Sequence, residues 1–558
     1  MRDNRKIDRL DFLILCIITL VYAVMSFINL GDTAAPTTQP EMENNQYITY
    51  VSLEGEKHID KIVLFKGLGV CNVSVYNSAD NGATWNELAK DSFSSDEGEV
   101  YKWLTIDVDC VTNFICLTFG VDDDLEIFEA GVISENGEVL NVTTSNDCKL
   151  FDEQQYVPAN PTYMNETYFD EIYYVRTAAE HLKGDYPFEC SHPPLGKLII
   201  ALSVTVFGMN PLGWRIMGNL FGIMMIALMY LFGKRLFKNT FFATAATLFL
   251  AFDFMHFTQT RIATIDSFSI FFIMLMYYLM YIYYDSSVEQ LSHKDAMKVL
   301  ALCGIAFGLG ISTKWLCVYA GIGLAVLFTL ALIKRTKQGD DPLKTCLWCV
   351  LFFIVIPFCI YFMSYIPYFI SMPNQSIFKT FWDNQMYMLN YHSGLTATHP
   401  FESPWYEWPL LIKPMWYYGN ATVAPLGYCS TIVALGNPIV WWLGSLCMIL
   451  LALKPKKCHS EWFVVIGFLS QYLPWVIISR ATFIYHYFAS VPFIILALVY
   501  ILKMLSDRFK WGKGVTVALL CGAFVLFIMF YPVISGNITS RDYVMNVLKW
   551  FESWILCY

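Results

Sequence analysis

Long apolar stretches separated by short polar segments make up most of the chain. A bilayer-spanning helix needs roughly 20 predominantly apolar residues, and we predict about eleven of them. A shorter apolar stretch, 195–208, has Lys197 near its start and predicts an amphipathic helix on the membrane surface. The pattern therefore predicts a polytopic α-helical membrane protein with spans at about 10–30, 214–231, 240–258, 265–284, 299–312, 315–333, 345–370, 437–453, 462–478, 488–505 and 515–534.

Residues 32–160 follow a different pattern, with short β-branched runs between Gly, Asn and Asp turns. Such runs are typical of a β-sandwich, and the clearest are 59–65, 71–76, 103–108 and 114–119. The piece VSVYNSADNGATWNEL is similar to a hairpin of discoidin-like, galactose-binding-like modules. Asp122, Asp123 and Asp124 allow two interpretations, a Ca²⁺ site or a solvated acidic turn.

Charge is distributed unevenly along the 558 residues, of which 15% are charged and 56% are hydrophobic. Soluble proteins carry about 25% charge. Residues 32–190 contain 30 Asp and Glu against 8 Lys and Arg, whereas the rest contains 17 and 29. The acidic block argues against nucleic-acid binding. Cys346 and Cys349 lie inside an apolar stretch without a second pair, so we expect no zinc or redox site there.

Basic loops set the expected topology. Segments 234–238, 293–298, 334–337, 454–457 and 507–513 are all rich in Lys and Arg. With eleven spans and a cytoplasmic N-terminus, every one of them falls on the cytoplasmic side, and the C-terminal tail is external. The expected order is a first helix in 1–31, a β domain in 32–160, a first-loop segment in 161–213, helices 2–7 in 214–370, a large external loop in 371–436, helices 8–11 in 437–534 and a tail in 535–558.

Ionisable residues gather at the predicted outer face. Adjacent Asp170 and Glu171 suit general-base or metal chemistry, or an acidic helix cap. A single cation at a helix end usually snorkels to the interface. Taken together, cations beside an apolar groove suit a lipid-linked phosphate, and adjacent carboxylates suit an acceptor hydroxyl. The other members of this group are His192, Lys197, Arg215, Arg261, Asp266, Lys314, His399, Glu402, Arg480 and His486.

Eight motifs in residues 168–500 resemble, in order, those of the protein O-mannosyltransferase family. They are FDEIYY, SHPPLGKLIIAL, FGMNPLGWRI, TRIATIDSF, GLGISTKW, HPFESPWYEWP, LGNPIVWW and SRATFIYHYF. The resemblance implies a GT-C fold and a polyprenyl- (dolichyl-) phosphate-mannose donor. It also implies transfer of mannose, with inversion, to Ser or Thr hydroxyls of exported proteins.

The resemblance also implies roles for individual residues. Asp170 matches the catalytic acid and Glu171 its partner. Arg215, Arg261, Arg480 and His486 are the residues expected at the donor phosphate. His192, Lys197, Asp266, Lys314, His399 and Glu402 are further site candidates. The motifs imply no metal site and no cofactor, and they leave a requirement for a divalent metal open.

Two departures from the family pattern are visible. The loop 371–436 is too short for the β-trefoil of eukaryotic members, so the bacterial branch and a plasma-membrane location fit better. The β domain is inserted before the acids, which leaves both the acceptor and the sugar open.

Three rival functions follow from the same residues. One is a related transferase acting on a lipid or cell-wall glycan. Another is a transporter or flippase, for which internal repeats would be expected, although the sequence shows none. The third is a carbohydrate-binding membrane receptor without catalysis, since the β domain alone would allow it.

Overall fold

The computed structural model describes residues 7–41, 46–80, 82–121, 125–144, 148–289, 291–420 and 424–557. The candidate Ca²⁺ ligands Asp122, Asp123 and Asp124 lie outside the described residues. The chain forms two compact units, each built from separate pieces of sequence. The first, which we call the helical unit, comprises Met1–Ile28, Thr177–Ala201 and Ile216–Tyr558; the second, the β unit, comprises Asn29–Arg176 and Leu202–Arg215.

α-Helices account for about half of the described chain, and several begin at residues suited to that position. The side chain of Asn239 accepts from the backbone N–H groups of Phe241 and Phe242, and that of Ser292 accepts from Asp295. Such caps satisfy donors that a helix start leaves unpaired. The helices are α1 Arg9–Phe27, α2 Glu171–Lys183, α3 Leu195–Phe207, α4 Pro211–Phe237, α5 Thr240–Ala251, α6 Phe254–Gln259, α7 Asp266–Glu289, α8 His293–Thr313, α9 Leu316–Thr336, α10 Pro342–Val350, α11 Ile356–Ser364, α12 Ile366–Ser371, α13 Ile377–Gly394, α14 Gly444–Leu453, α15 His459–Tyr472, α16 Val491–Arg508, α17 Gly512–Ser535 and α18 Arg541–Tyr543.

Eight helical segments among the described residues are long and apolar enough to cross a membrane. They confirm a polytopic helical membrane protein. Three further predicted spans coincide with shorter helices, namely α5 with α6, α14, and α15. The eight segments are Arg9–Phe27, Pro211–Phe237, Asp266–Ser286, His293–Thr313, Leu316–Thr336, Pro342–Ser364, Ile484–Arg508 and Gly512–Ser535.

The β unit contains one antiparallel sheet in the order β3-β2-β4-β1-β5, with β6 paired to β1. Its strands are β1 Gln46–Lys66, β2 Val70–Asn77, β3 Asn86–Ser94, β4 Lys102–Val121, β5 Ile127–Ser134 and β6 Val142–Thr144. Two of the predicted strands, 103–108 and 114–119, are halves of the single strand β4. A register shift in its pairing with β1 divides the sequence pattern without ending the strand, as a bulge does. The sandwich arrangement stays a prediction.

A second small sheet belongs to the helical unit. Its strands are β7 Met415–Asn420, β8 Tyr428–Ala434 and β9 Thr539–Ser540, and their order is β7-β8-β9. Strands β7 and β8 lie within the segment predicted as a large external loop, together with α13. That segment is therefore largely ordered, which gives its polar side chains fixed positions.

Candidate active site

Arg215 and Glu171 form a fully buried ion pair in the β unit. Arg215 Nε donates to Glu171 Oε1 and Arg215 Nη2 donates to Glu171 Oε2, both at 2.7 Å. Both side chains are 0% exposed. Glu171 Oε2 also accepts the backbone N–H of Tyr168 at 3.2 Å. The carboxylate of Glu171 is thus neutralised and oriented at the first residue of α2.

Asp170 directly precedes α2 and follows a strained turn. Phe169 has a φ of 49°, which lies in the left-handed region that non-glycine residues seldom adopt. The carbonyl oxygen of Asp170 accepts the N–H groups of Tyr173 and Tyr174. Such strain persists where the surrounding structure fixes it and is common at functional sites. Here the Glu171–Arg215 pair supplies that fixation two residues after Phe169.

The expectation that Arg215 binds the donor phosphate does not fit its surroundings. Besides the two bonds to Glu171, Nη1 donates to the carbonyl oxygens of Leu30 and Tyr163, at 3.0 and 2.6 Å. Nη2 also donates to the carbonyl of Glu166 at 2.9 Å. A guanidinium has five N–H donors, and all five are used. Arg215 is therefore a structural partner of Glu171, without a donor left for phosphate.

A second buried network lies in the helical unit around Glu189. Lys197 Nζ donates to Glu189 Oε2 at 2.6 Å, to the Glu189 carbonyl at 2.7 Å and to the His192 carbonyl at 2.8 Å. An ammonium has three donors, so Lys197, which is 0% exposed, has none left for a ligand. Burial opposes ionisation of Glu189, but Lys197 and His192 hold the pKa of that carboxyl well below its usual range.

His192 is oriented by this network. Its Nδ1 lies 3.0 Å from Glu189 Oε1 and 3.0 Å from Ser191 Oγ. A carboxylate facing Nδ1 favours the tautomer with the proton there, which directs the Nε2 lone pair away from Glu189. The ring also lies 5.3 Å from that of His392, centroid to centroid. Burial, followed by the charges of His192 and Arg480, lowers the pKa of His392 to about 4.

Lys314 and Asp266 are paired at 2.8 Å between Nζ and Oδ1. Lys314 Nζ also lies 5.9 Å from the centre of the Tyr485 ring. Arg261, which the resemblance assigns to the donor phosphate, places its guanidinium over the Phe257 ring and donates to the Ile28 carbonyl at 2.6 Å. The R-x-x-x-x-D turn therefore presents Asp266 to a lysine 48 residues further along the chain.

Arg480, another cation of this group, is half-buried and is not neutralised by a carboxylate among the described residues. Its Nη1 donates to the Ala481 carbonyl at 3.4 Å, and within the described ranges it forms no ion pair. Six residues later, His486 is buried between Trp475 and Tyr485, with ring centroids at 4.4 and 4.6 Å. An unpaired guanidinium is well suited to bind a phosphate.

Arg480 lines a polar cavity of about 410 Å³ together with Glu402 and Lys413. His399 and Glu402 belong to one tight turn, because the Glu402 N–H donates to the His399 carbonyl at 3.0 Å. His399 itself caps the backbone of Phe401 through Nδ1 at 3.1 Å. The structure thus places Glu402 at the cavity and gives His399 a local role.

Two residues of the helical-unit network are absent from the sequence-based candidates. Glu189 occurs three residues before His192 in the motif FECSH, and an acidic residue so close to the HPP motif was a usable signal. His392 carried no such signal, since α13 lies far from the motif in sequence. Its Nε2 reaches the Ser191 carbonyl at 2.8 Å across 201 positions.

Comparison with known protein families covers both halves of the chain. Residues 159–372 match the family described as dolichyl-phosphate-mannose-protein mannosyltransferase. Residues 377–554 match the C-terminal four TMM region of protein-O-mannosyltransferase. The two matches together extend over most of the chain and exclude most of the β unit.

Individual proteins support the same relationship. A polyprenol-phosphate-mannose–protein mannosyltransferase of Mycobacterium tuberculosis is 26% identical over 423 residues, which are 65% of this chain and 80% of that protein. One from Corynebacterium glutamicum is 26% identical over 476 residues, 74% of this chain and 90% of that protein.

The fold also has a counterpart of known structure. The Saccharomyces cerevisiae protein O-mannosyltransferase Pmt1-Pmt2 complex bound to the sugar donor matches with a TM-score of 0.63 and 15% identity. The match covers 70% of this chain and 89% of that chain. The ordered motifs, the two family matches and the shared fold lead to one conclusion: the chain belongs to the protein O-mannosyltransferase family.

Proposed function

We propose that this protein transfers mannose from a polyprenyl-phosphate-mannose donor to Ser or Thr hydroxyls of exported proteins. The names of the mycobacterial and corynebacterial relatives support this substrate pair. No nucleotide-sugar site of Rossmann type is visible in the sequence, which agrees with a lipid-linked donor. Support therefore comes from both the donor chemistry and the family relationship.

Asp170 is the general base in this proposal, and the pairing of Glu171 with Arg215 is the observation that carries it. Glu171 is fully buried and both its oxygens accept from one guanidinium, so it is unsuited to taking a proton. Asp170 takes the proton of the acceptor hydroxyl as its oxygen attacks the anomeric carbon in line. The C–O bond to the lipid phosphate breaks, and the configuration inverts.

The leaving phosphate needs positive charge as the bond breaks. Arg480 is our first candidate because it is half-buried and has no carboxylate partner in the described part of the chain. Lys314 and His486 are further candidates near it. Arg215 and Lys197 instead hold Glu171 and Glu189 in position, since their donors are all engaged.

The finer architecture is also a proposal. Eleven spans, with the basic loops cytoplasmic, place the β unit and the segment 535–557 outside a bacterial plasma membrane. In this arrangement the short helices α5, α14 and α15 form the three predicted spans that the eight long helices do not account for. A β-sandwich with glycan-binding or acceptor-positioning capacity is the corresponding proposal for the β unit.

Purified protein incubated with polyprenyl-phosphate-mannose and a Ser/Thr-rich peptide tests the function. We expect the peptide to gain the mass of one hexose. The matched control is the same peptide with Ala at every Ser and Thr position, which should gain nothing. An unmodified Ser/Thr peptide, together with mannose appearing on a lipid or cell-wall glycan, would overturn the protein-acceptor proposal.

A further inference from the structure

Cys429 and Cys557 come together in the helical unit although 128 positions separate them. Cys429 lies on β8, pairs with Thr539 on β9 and is 2% exposed. The thiol of Cys557 is a hydrogen-bonding neighbour of the Cys429 thiol. Both are free thiols in the structure.

The residues directly before Cys557 are held in place by burial and by hydrogen bonds. Trp554 is fully buried, and its Nε1 donates to the Leu411 carbonyl at 2.6 Å. Ser553 Oγ donates to the Ile412 carbonyl at 2.5 Å, and Leu556 is 1% exposed. These anchors hold residues 553–556 in place, so the approach of Cys557 to Cys429 is part of a packed arrangement.

We propose that Cys429 and Cys557 form a disulfide bond that fastens the segment 541–557 to β8. The inference rests on the topology given under Proposed function, because that topology places both cysteines on the oxidising, extracytoplasmic side. The loop closed by the bond contains α14 to α18 together with Arg480. The bond therefore holds one side of the polar cavity in a closed covalent ring.

The oxidant is a disulfide-bearing thiol oxidoreductase or a small-molecule disulfide. Cys557 is partly exposed and attacks first, forming a mixed disulfide and releasing one thiol of the oxidant. Burial, then the neighbouring Cys557, raises the pKa of the Cys429 thiol to about 12, which makes Cys429 the resolving residue. Its sulfur attacks Cys557 Sγ and breaks the mixed disulfide, which expels the second thiol of the oxidant. The two cysteines have then lost two electrons and two protons, and the disulfide of the oxidant has become two thiol groups.

Mass spectrometry of the full-length protein in native membranes tests the bond. The protein is denatured with N-ethylmaleimide before any reductant is added, digested and analysed. We expect one cross-linked pair of peptides containing Cys429 and Cys557, lighter than their sum by two hydrogen atoms and separated by reduction. Cys557→Ser should lose the pair and leave Cys429 alkylated. Exposed Cys458, on a loop proposed to be cytoplasmic, is the internal control and should be alkylated in every sample.

Two results together would overturn the proposal. Cys429 and Cys557 would both be fully alkylated in native membranes, and both would still be fully alkylated when solubilised protein is treated with oxidised glutathione before the N-ethylmaleimide. Stable pairing of Cys557 with a different cysteine would overturn it as well. The readout needs no mannose transfer. A cross-linked but inactive protein would therefore contradict the proposed function and leave the disulfide standing, whereas an active protein with two free thiols would do the reverse.

Discussion

The guanidinium of Arg215 binds the carboxylate of Glu171 side-on, with each carboxylate oxygen 2.7 Å from a different guanidinium nitrogen. The two residues are 44 positions apart and neither is exposed. A buried ion pair contributes little net stability compared with apolar residues of the same shape, but breaking it leaves an uncompensated charge. Its effect here is to fix the start of α2 immediately after Asp170.

The first prediction concerns Arg215. Arg215→Ala should destabilise the protein by about 3–5 kcal/mol, because Glu171 would remain charged and buried without its partner. Thermal unfolding and yield of folded protein measure this. Adding Glu171→Gln to Arg215→Ala should recover part of the loss. Lys379→Ala is the control, since Lys379 and its partner Asp383 are 64% and 52% exposed and such pairs are worth at most about 1 kcal/mol.

The opposite result would support the phosphate-binding role that the sequence predicted for Arg215. If Arg215→Ala unfolds like the parent protein and only raises the donor KM, then Arg215 is a phosphate ligand and the geometry around Glu171 rearranges when the donor binds.

Glu189→Gln is the second prediction. The substitution leaves the buried ammonium of Lys197 without a counter-charge. It also replaces one of the two oxygens that serve Lys197 and His192 with an NH2 group, which cannot accept a hydrogen bond. We expect about 3–5 kcal/mol of destabilisation, with partial recovery when Lys197→Met is added. Glu189→Asp should retain more activity than Glu189→Gln, because it keeps the charge. If Glu189→Gln matches the parent protein in stability and turnover, this network is dispensable.

Patterning predicted the long apolar helices for a physical reason. A span must be apolar over its whole length, so α1, α7, α8 and α17 are visible as unbroken runs. The exposed edge strand β3 was missed because its sequence, NELAKDSFS, is mostly polar. The fully buried strand β5 shows no alternation, so the period-2 pattern could not reveal it.

The candidate site is visible in the sequence by residue type, and the roles of its residues stay predictions. Asp170 and Glu171 were identifiable as a pair, but their division of labour depends on Arg215. The position of Arg215 in turn depends on the backbone carbonyl groups of Leu30 and Tyr163. The side-chain types in the sequence do not show that these carbonyls accept from Arg215. Backbone acceptors are the same at every position of a sequence, so a phosphate-binding arginine and a structural one look alike until the fold places them.

Arg480 provides the third prediction. Arg480→Ala should weaken donor use by roughly ten- to a hundred-fold, because a hydrogen bond to a charged group is worth about 1.5–3 kcal/mol. Steady-state kinetics at varied donor concentration measure the effect, and thermal unfolding should be unchanged. Arg508→Ala, at the exposed end of α16, is the matched control. Normal donor kinetics for Arg480→Ala would exclude it as a phosphate ligand.

The fourth prediction is a pH dependence in the β unit. Burial raises the pKa of Glu129 to about 8, above the usual value near 4.5, so the folded state binds an extra proton between those values. Stability of this region therefore falls as pH rises from about 4.5 to 8. Glu129→Gln, which mimics the protonated acid, should flatten that decline by up to a few kcal/mol.

Hydrogen exchange of the β5 amides, corrected for intrinsic rates, reports on this local effect without requiring two-state unfolding. Protection in the parent protein should be lower at pH 8 than at pH 5.5, and the difference should shrink in Glu129→Gln. Glu56→Gln, an exposed site on β1, is the matched control. Equal pH dependence in all three proteins would show that Glu129 ionises normally.

The last prediction separates Asp170 from its neighbour. Asp170→Asn should lower the rate of transfer by roughly 10²–10⁴, the contribution of general-base assistance, while donor binding and folding persist. Asn is nearly isosteric with Asp but takes no proton at neutral pH, so the loss should appear in kcat more than in donor KM. Asp185→Asn, an exposed site beyond α2, is the matched control and should keep full turnover. Glu171→Gln should mainly reduce the amount of folded protein, because it removes the charge that pairs with Arg215 and one of the two oxygens that accept its hydrogen bonds. Near-normal turnover in Asp170→Asn with inactive but well-folded Glu171→Gln would reverse the two roles.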